Sequence, residues 1–473
     1  MNSSEIYSVL SNTFLLEPTS KQKDWFNLMS EFLNSPKKDK IFLLKGYAGT
    51  GKSTLVAHLV KQLHKFNFKS VLMAPTGRAA KVISNYSNKN AYTIHKQIYY
   101  PRNEKGAGVK FILKSNNSKN TLFLIDEASM ISDNKEQSKF FENGSLLNDL
   151  IQYVSSGVNC YLVLVGDIAQ LPPVNLNVSP ALSEQELKNN YNKNVTSLTL
   201  TEVVRQLSNS GILFNATTLR EFLFDEVYNN FSFKINNFKD IHRIQDGEEL
   251  LHTLDNSLNE FGIEQVVFIV RSNKRANLYN QNIRKKILSL ESSLSVGDQL
   301  MVVKNNYFWI KPESQASFIA NGDIIVVDSI NKLNEIYGFK FAEITARLID
   351  YPEMSSFETV VFTDTLTSNS PSLTYEENQL LYSSVKEDYK NEKSSFKKFL
   401  KVKNNPHFNA LQVKYSYSIT CHKSQGGQWD RVFVEYPYLP EGPNKDFFRW
   451  LYTAITRAKK ELYLVGFPNE YFD

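Results

Sequence analysis

Three short stretches carry side chains suited to phosphate chemistry. Residues 46 to 53 read GYAGTGKS, which fits G-x-x-x-x-G-K-[ST]. The apolar run IFLL precedes them and TLVAHLVKQL, with apolar residues at helical spacing, follows. In a strand–loop–helix context, glycines let backbone N–H groups converge on phosphate oxygens, and the helix N-terminus adds its positive dipole end. The expected cradle for a nucleoside triphosphate is therefore Gly46, Tyr47, Ala48, Gly49, Thr50, Gly51, Lys52, Ser53 and Thr54. Lys52 is placed to reach the β- and γ-phosphates and Ser53 to ligate Mg²⁺. In TLFLIDEASM, Asp126 and Glu127 end a second apolar strand, the edge where ligands bind in parallel sheets. Asp126 would hold Mg²⁺, directly or through water, and Glu127 would polarise the attacking water. A third apolar run, YLVLVGDIAQLPPV, ends in Asp167 and Gln170, and a glutamine just past a strand end can sense a γ-phosphate.

These segments need elements to hold them, and composition bounds what those are. At 473 residues the chain exceeds one compact core and suggests roughly three domains. Hydrophobic residues at 42% and charged residues at 22% are ordinary for a globular protein. The net charge of +5, from 54 basic and 49 acidic residues, permits a polyanionic partner without requiring one. Two cysteines, Cys160 and Cys421, form no CxxC or Cys/His cluster, so neither a zinc site nor a disulfide framework is expected. The first residues show no basic segment leading into an apolar one, and no apolar run reaches the ~18 residues of a membrane span. The expectation is a soluble, cytoplasmic protein with no membrane contact.

The ordered series TSKQ, GYAGTGKS, APTGRAA, TIH, IDEASM, GDIAQLPPV, LTEVVRQ, SITCHKSQGGQWD and LYTAITRAK resembles superfamily 1B helicases of the RecD/Dda type, with a UvrD-like C-terminal helicase domain. The resemblance runs from about Thr19 to Gly466. It implies an α/β fold of two RecA-like parallel-sheet lobes facing each other across an ATP cleft, with a small β-hairpin insert in lobe one and an SH3-like β-barrel insert in lobe two. It assigns Gln22 to the adenine edge, which makes the nucleotide ATP. It points Arg205 and Arg457 across the cleft at the γ-phosphate, where a guanidinium from a second domain typically contributes a factor of ~10³ to 10⁵.

The expected division is lobe one over 1–200, with the hairpin at about 96–120, and the first part of lobe two over 201–296. The β insert with a helical, basic segment then takes 297–404, and the second part of lobe two 405–473. A motor must also grip a strand with both lobes. The candidates are Pro75, Thr76, Gly77, Arg78, Thr93 and His95 in lobe one, and His422, Lys423, Ser424 and Gln425 in lobe two. Such groups suit phosphate and sugar contacts, which position without reading sequence. Each has a bland alternative, such as Thr76 capping a helix or His95 resting as a satisfied half-buried imidazole. By resemblance the hairpin is a pin at the strand junction, with Tyr99, Tyr100 and Phe111 available to stack on a base; a surface hairpin with tucked aromatics is the rival. The lysines of KSSFKKFLKVKNN read as a solvated helix face in preference to an exit path for the strand.

The resemblance thus implies ATP-driven movement on single-stranded DNA, 5′ to 3′, and unwinding of tailed or forked duplex. The expected motor is monomeric, with accessory proteins left open. An RNA helicase or a nucleotide-gated clamp are the alternatives. Gln428 stands where some relatives carry an acidic residue that contacts a ribose, which leaves sugar recognition open.

Overall fold

The computed structural model describes residues 2–104, 108–133, 144–204, 209–311, 314–316 and 318–472, with backbone alone for 101–104 and 108–111. Eighteen strands are named among them. Lobe one contains β1 (Lys40–Gly46), β2 (Lys69–Ala74), β3 (Ala91–Thr93), β6 (Lys119–Ile125), β7 (Val158–Gly166) and β8 (Asn194–Leu200), with β4 (Tyr99–Glu104) and β5 (Gly108–Leu113) forming a separate antiparallel hairpin. The six-stranded sheet has the order β3-β2-β6-β7-β1-β8, and every pairing in it is parallel. Helices Gly77–Ser87 and Leu146–Ser155 provide crossovers between parallel neighbours, and helix Lys52–Gln62 carries the chain from β1 past β7 and β6 to β2. Covered on both faces, the strands read as unbroken apolar runs: Ile41 to Leu44 and Leu122 to Ile125 are all buried.

Lobe two repeats the plan with β9 (Ile241–Ile244), β10 (Val266–Val270), β16 (Ser418–Thr420), β17 (Trp429–Glu435) and β18 (Ala458–Val465), in the parallel order β16-β10-β17-β18-β9. Between β10 and β16 the chain builds a closed five-stranded barrel from β11 (Gln299–Val302), β12 (Ile324–Ile336), β13 (Phe339–Leu348), β14 (Phe357–Phe362) and β15 (Leu411–Tyr415). All its pairings are antiparallel except β14 with β15. The fifth strand lies beyond residue 405, so a division there cuts the barrel. Helices Tyr375–Glu387 and Ser395–Lys403 intervene before β15, and their helical pattern hides the return to the barrel.

A buried neck joins barrel to lobe two. Arg284 forms a two-pronged pair with Asp298 (Nε–Oδ1 and Nη2–Oδ2, both 2.9 Å), and the Tyr417 hydroxyl donates to the same carboxylate at 2.8 Å. Asn280 donates to the carbonyls of Tyr415 (3.3 Å) and Ser418 (2.9 Å) and accepts from the Ser418 N–H at 2.7 Å.

The two lobes share apolar packing. Tyr47, Ala169 and Leu171 of lobe one belong to a buried cluster made largely of lobe-two residues, including Ile212, Leu219, Trp450 and Tyr452. Among the described residues, no helix is long and apolar enough to cross a membrane.

Candidate ATP cleft and strand groove

The carboxyl ends of β1, β6 and β7, neighbours in the sheet, deliver the phosphate loop, Asp126–Glu127 and Asp167–Gln170 to one edge. Gly51 caps helix Lys52–Gln62 with φ +85°, a left-handed conformation in which a side chain is strained. A Cβ there would also lie 2.7 Å from Gln22 Nε2. Gln22 is buried and fully engaged: its Oε1 accepts from Thr19 N–H (3.2 Å), and its Nε2 donates to the Thr50 carbonyl (3.3 Å). The Thr19 hydroxyl accepts from the Gln22 N–H, so this glutamine completes a capping box. It abuts the loop while holding a helix start, a second role that the T-x-x-Q spacing signals. Lys52 Nζ donates to the carbonyls of Gly46 and Tyr47, both at 2.8 Å, and Ser53 and Thr54 occupy the first helical turn.

Asp126 and Glu127 stand side by side. Glu127 takes φ +52°, and its N–H donates to Asp126 Oδ1 at 2.9 Å. Burial raises the pKa of both carboxyl groups; Arg457 is the strongest opposing influence on Glu127, with Lys52 acting on both. The guanidinium of Arg457 is thus an electrostatic neighbour of the acid pair although it comes from lobe two. It is 4% exposed, and its donors hold Thr453 O (3.0 Å), Gly427 O (3.3 Å) and Thr456 Oγ1 (3.2 Å). Gln170 is buried with its Oε1 unpartnered, the condition of a group poised for a ligand. Arg205 lies outside the described residues.

A second concavity, a groove of about 990 Å³, runs between lobe one, the barrel and lobe two. Pro75, Thr76, Thr93, His95, His422, Lys423 and Gln425 line it. The remaining candidates are placed elsewhere. Arg78 stacks its guanidinium 4.0 Å from the Trp429 ring, a cation–π contact between lobes. Gly77 starts a helix against Asp323 of the barrel. Ser424 is fully buried and donates to Cys421 O (2.8 Å). Gln425 reaches the groove but spends its Nε2 on the Leu171 carbonyl (2.7 Å). Thr76 and Thr93 both cap helices, accepting from Ala79 N–H and Lys96 N–H at 3.2 Å. His95 is a neutral imidazole, its pKa driven down to about 4 by burial.

The barrel supplies what the motifs lack. Lys304, Tyr307 and Phe308, just past β11, face the groove, as does Lys403. Burial lowers the pKa of Lys304, Lys403 and Lys423, the last to about 8, and Lys304 adds to the effect on Lys403. With three lysines and no acidic side chain among its described lining residues, the groove is electropositive. The sequence signal was KNNYFWI, basic and aromatic residues interleaved directly after a strand. Most lysines of the following helices do face solvent, with Lys401 paired to Glu392, but Lys403 turns inward.

At the hairpin, Tyr99 is buried and donates to Asp149 Oδ2 (2.7 Å), whereas Tyr100 is 62% exposed with Lys114 Nζ 5.0 Å from its ring centre. The side chain of Phe111 lies outside the described residues.

The chain is similar to several known proteins. Residues 30–176 match the AAA domain family, and residues 415–465 match the UvrD-like helicase C-terminal domain. The chain is 24% identical to the ATP-dependent DNA helicase dda of Enterobacteria phage T4, over 94% of this chain and 99% of that one. It is 26% identical to the uncharacterized protein R530 of Acanthamoeba polyphaga mimivirus, over 94% and 98%. A crystal structure of Pif1 helicase from Bacteroides, in complex with ADP-AlF3 and ssDNA, covers 97% of this chain and 95% of its own at 15% identity and a TM-score of 0.47. Two parallel sheets and a phosphate loop with its acid pair define a two-lobed P-loop motor ATPase. The helicase C-terminal match and the likeness to the phage T4 helicase along nearly the whole length go further: the chain is similar to superfamily 1B helicases of the RecD/Dda type.

Proposed function

We propose that this chain is an ATP-dependent DNA helicase that moves 5′ to 3′ on single-stranded DNA and opens tailed or forked duplex. One observation carries the reading: the same two lobes that close on the phosphate loop also wall the electropositive groove, so a change at one is geometrically a change at the other. Lys52 binds the β- and γ-phosphates, Glu127 orients and polarises water, Gln170 senses the γ-phosphate, and Arg457 together with Arg205 stabilises transition-state charge. Ser53 and Asp126 are the residues that would hold Mg²⁺. A buried carboxylate whose pKa is raised by desolvation fits a divalent cation, which would supply charge neutralisation on the phosphates. In the groove, Lys304, Lys403 and Lys423 contact phosphates without reading bases. Tyr100 stacks at the junction; a ring–base stack is typically worth ~1–3 kcal/mol, near the ~1.4 kcal/mol of one DNA step. The motor works as a monomer in the cytoplasm.

Two matched duplexes, one with a 5′ and one with a 3′ single-stranded tail, test this with Lys52→Ala as the inactive control. ATP-dependent opening of the 5′-tailed duplex alone is the expected result. Opening of neither, with ATP hydrolysis still stimulated by single strands, would refute unwinding and leave a clamp or an RNA substrate.

A further inference from the structure

Tyr452, on helix Lys445–Ile455 of lobe two, lies at the centre of a hydrogen-bond relay that joins the three parts of the cleft. Its hydroxyl accepts the N–H of Ala48 in the phosphate loop at 2.9 Å and donates to Asp167 Oδ2 at 2.8 Å. The side chain is 1% exposed and Asp167 equally so, so no solvent competes for either bond. Asp167 spends its other oxygen on the Ala169 N–H (2.9 Å). Four residues on, the Leu171 N–H donates to Thr453 Oγ1 (2.8 Å) and its carbonyl accepts from Gln425 (2.7 Å). The segment carrying Gln170 is therefore tied at both ends to lobe two. The same helix leads within five residues to Arg457.

We infer that Tyr452 is a positioning residue for ATP hydrolysis: its hydroxyl sets the register between the phosphate loop, the Gln170 segment and the helix that delivers Arg457. This rests on the ATP-hydrolysis part of the function proposed above. Misplacing a reacting group by about 1 Å can cost ~10²-fold in rate, and the relay fixes three such groups through one oxygen. Lobe closure and arginine delivery become one event, because the helix cannot approach the phosphate loop without also seating Gln170.

Tyr452→Phe removes both hydrogen bonds and keeps the ring in its apolar cluster. The experiment measures kcat and KM for ATP hydrolysis with saturating single-stranded DNA, affinity for a fluorescent ATP analogue, and cooperative melting. Expected is a kcat lowered about tenfold or more, with KM and analogue affinity within about twofold of the native protein. Unchanged kcat overturns the inference. So does a parallel fall in kcat, affinity and melting temperature, which would make Tyr452 merely structural. If Tyr452→Phe does not fold, Asp167→Asn tests the same relay. An asparagine that keeps its oxygen on the Ala169 N–H presents an N–H to Tyr452, so the hydroxyl loses the acceptor for its own proton. The variant should reproduce the loss in kcat alone, and native kcat there overturns the inference. A native protein without DNA-stimulated hydrolysis would instead count against the helicase reading, because the inference is judged on the ratio of variant to native.

Discussion

The ATP cleft and the strand groove lie between the same bodies yet are built differently. The cleft is assembled from strand ends and the turns that follow them, so its residues fall in compact runs: a loop after β1, an acid pair after β6, a glutamine after β7. The groove is assembled from insertions. Its cations come from a loop after the first barrel strand, from the end of a helix some 100 residues later, and from the turn after β16. A strand end imposes a fixed geometry on the few residues beyond it, which is why such sites are written as motifs. A groove between domains needs only charge and shape, and many sequences supply those.

The contrast can be broken by separating the two activities. Arg457→Ala should lower kcat for ATP hydrolysis by about 10³-fold while single-strand affinity, measured by fluorescence anisotropy, stays close to native. A large loss of binding would show that the two regions are not separable. In the groove, burial lowers the Lys423 pKa to about 8 in the free protein, and a phosphate contact favours the charged form. Binding above that pH must therefore take up a proton. Affinity should be flat below about pH 7 and fall up to tenfold by pH 9, since each pKa unit is worth 1.36 kcal/mol; Lys423→Gln should flatten the profile. Tyr100→Ala should slow unwinding about fivefold, the loss of ~1 kcal/mol of stacking, with hydrolysis on single strands unaffected in a coupled ATPase assay. The smallest effect sharpens the comparison most. Lys304→Ala and Lys403→Ala should each reduce the slope of log affinity against log salt by about 0.7 and leave kcat at saturating DNA unchanged.

The architecture was largely legible in the sequence. Apolar runs such as IFLL and YLVLVG mark parallel strands, and the change to a β pattern after Gly297 marks the barrel, whose strands β12 and β13 are longer than any in the two lobe sheets. The cleft residues were legible as types, but not their partners. Tyr452 and Thr453 sit inside LYTAITRAK, and nothing in their spacing says that one oxygen serves Ala48 and Asp167, more than 280 positions away. Arg78 shows the opposite limit. A cation after a strand looks free to meet a phosphate, and only the tertiary fold brings Trp429 beneath it. Two glycines let them come so close: a Cβ at Gly427 would lie 2.5 Å from the Trp429 ring and 3.2 Å from Arg78 Cδ, and Gly426 lets the two elements meet. The latter has φ +73°, and a Cβ there would be 2.9 Å from Ala79 Cβ, so the turn after β16 can press against the helix of lobe one. Lys403 was misread because an amphipathic basic helix looks the same whether its last cation points to water or into a groove.

The neck between barrel and second lobe has a mechanical consequence. Its buried ion pair and the asparagine that clasps Tyr415 and Ser418 tie the two bodies where the chain passes between them. Against lobe one the barrel meets the start of helix Gly77–Ser87 at Asp323, with long side chains added, such as Lys96 on the Gln315 carbonyl and Lys81 on the Ile349 carbonyl and Asp350. The barrel is thus an outrigger fastened to the second lobe. On the proposed opening of the cleft, the barrel would lengthen the arm on which the second lobe acts, so a small angle at the nucleotide would become a larger linear displacement at the far wall of the groove.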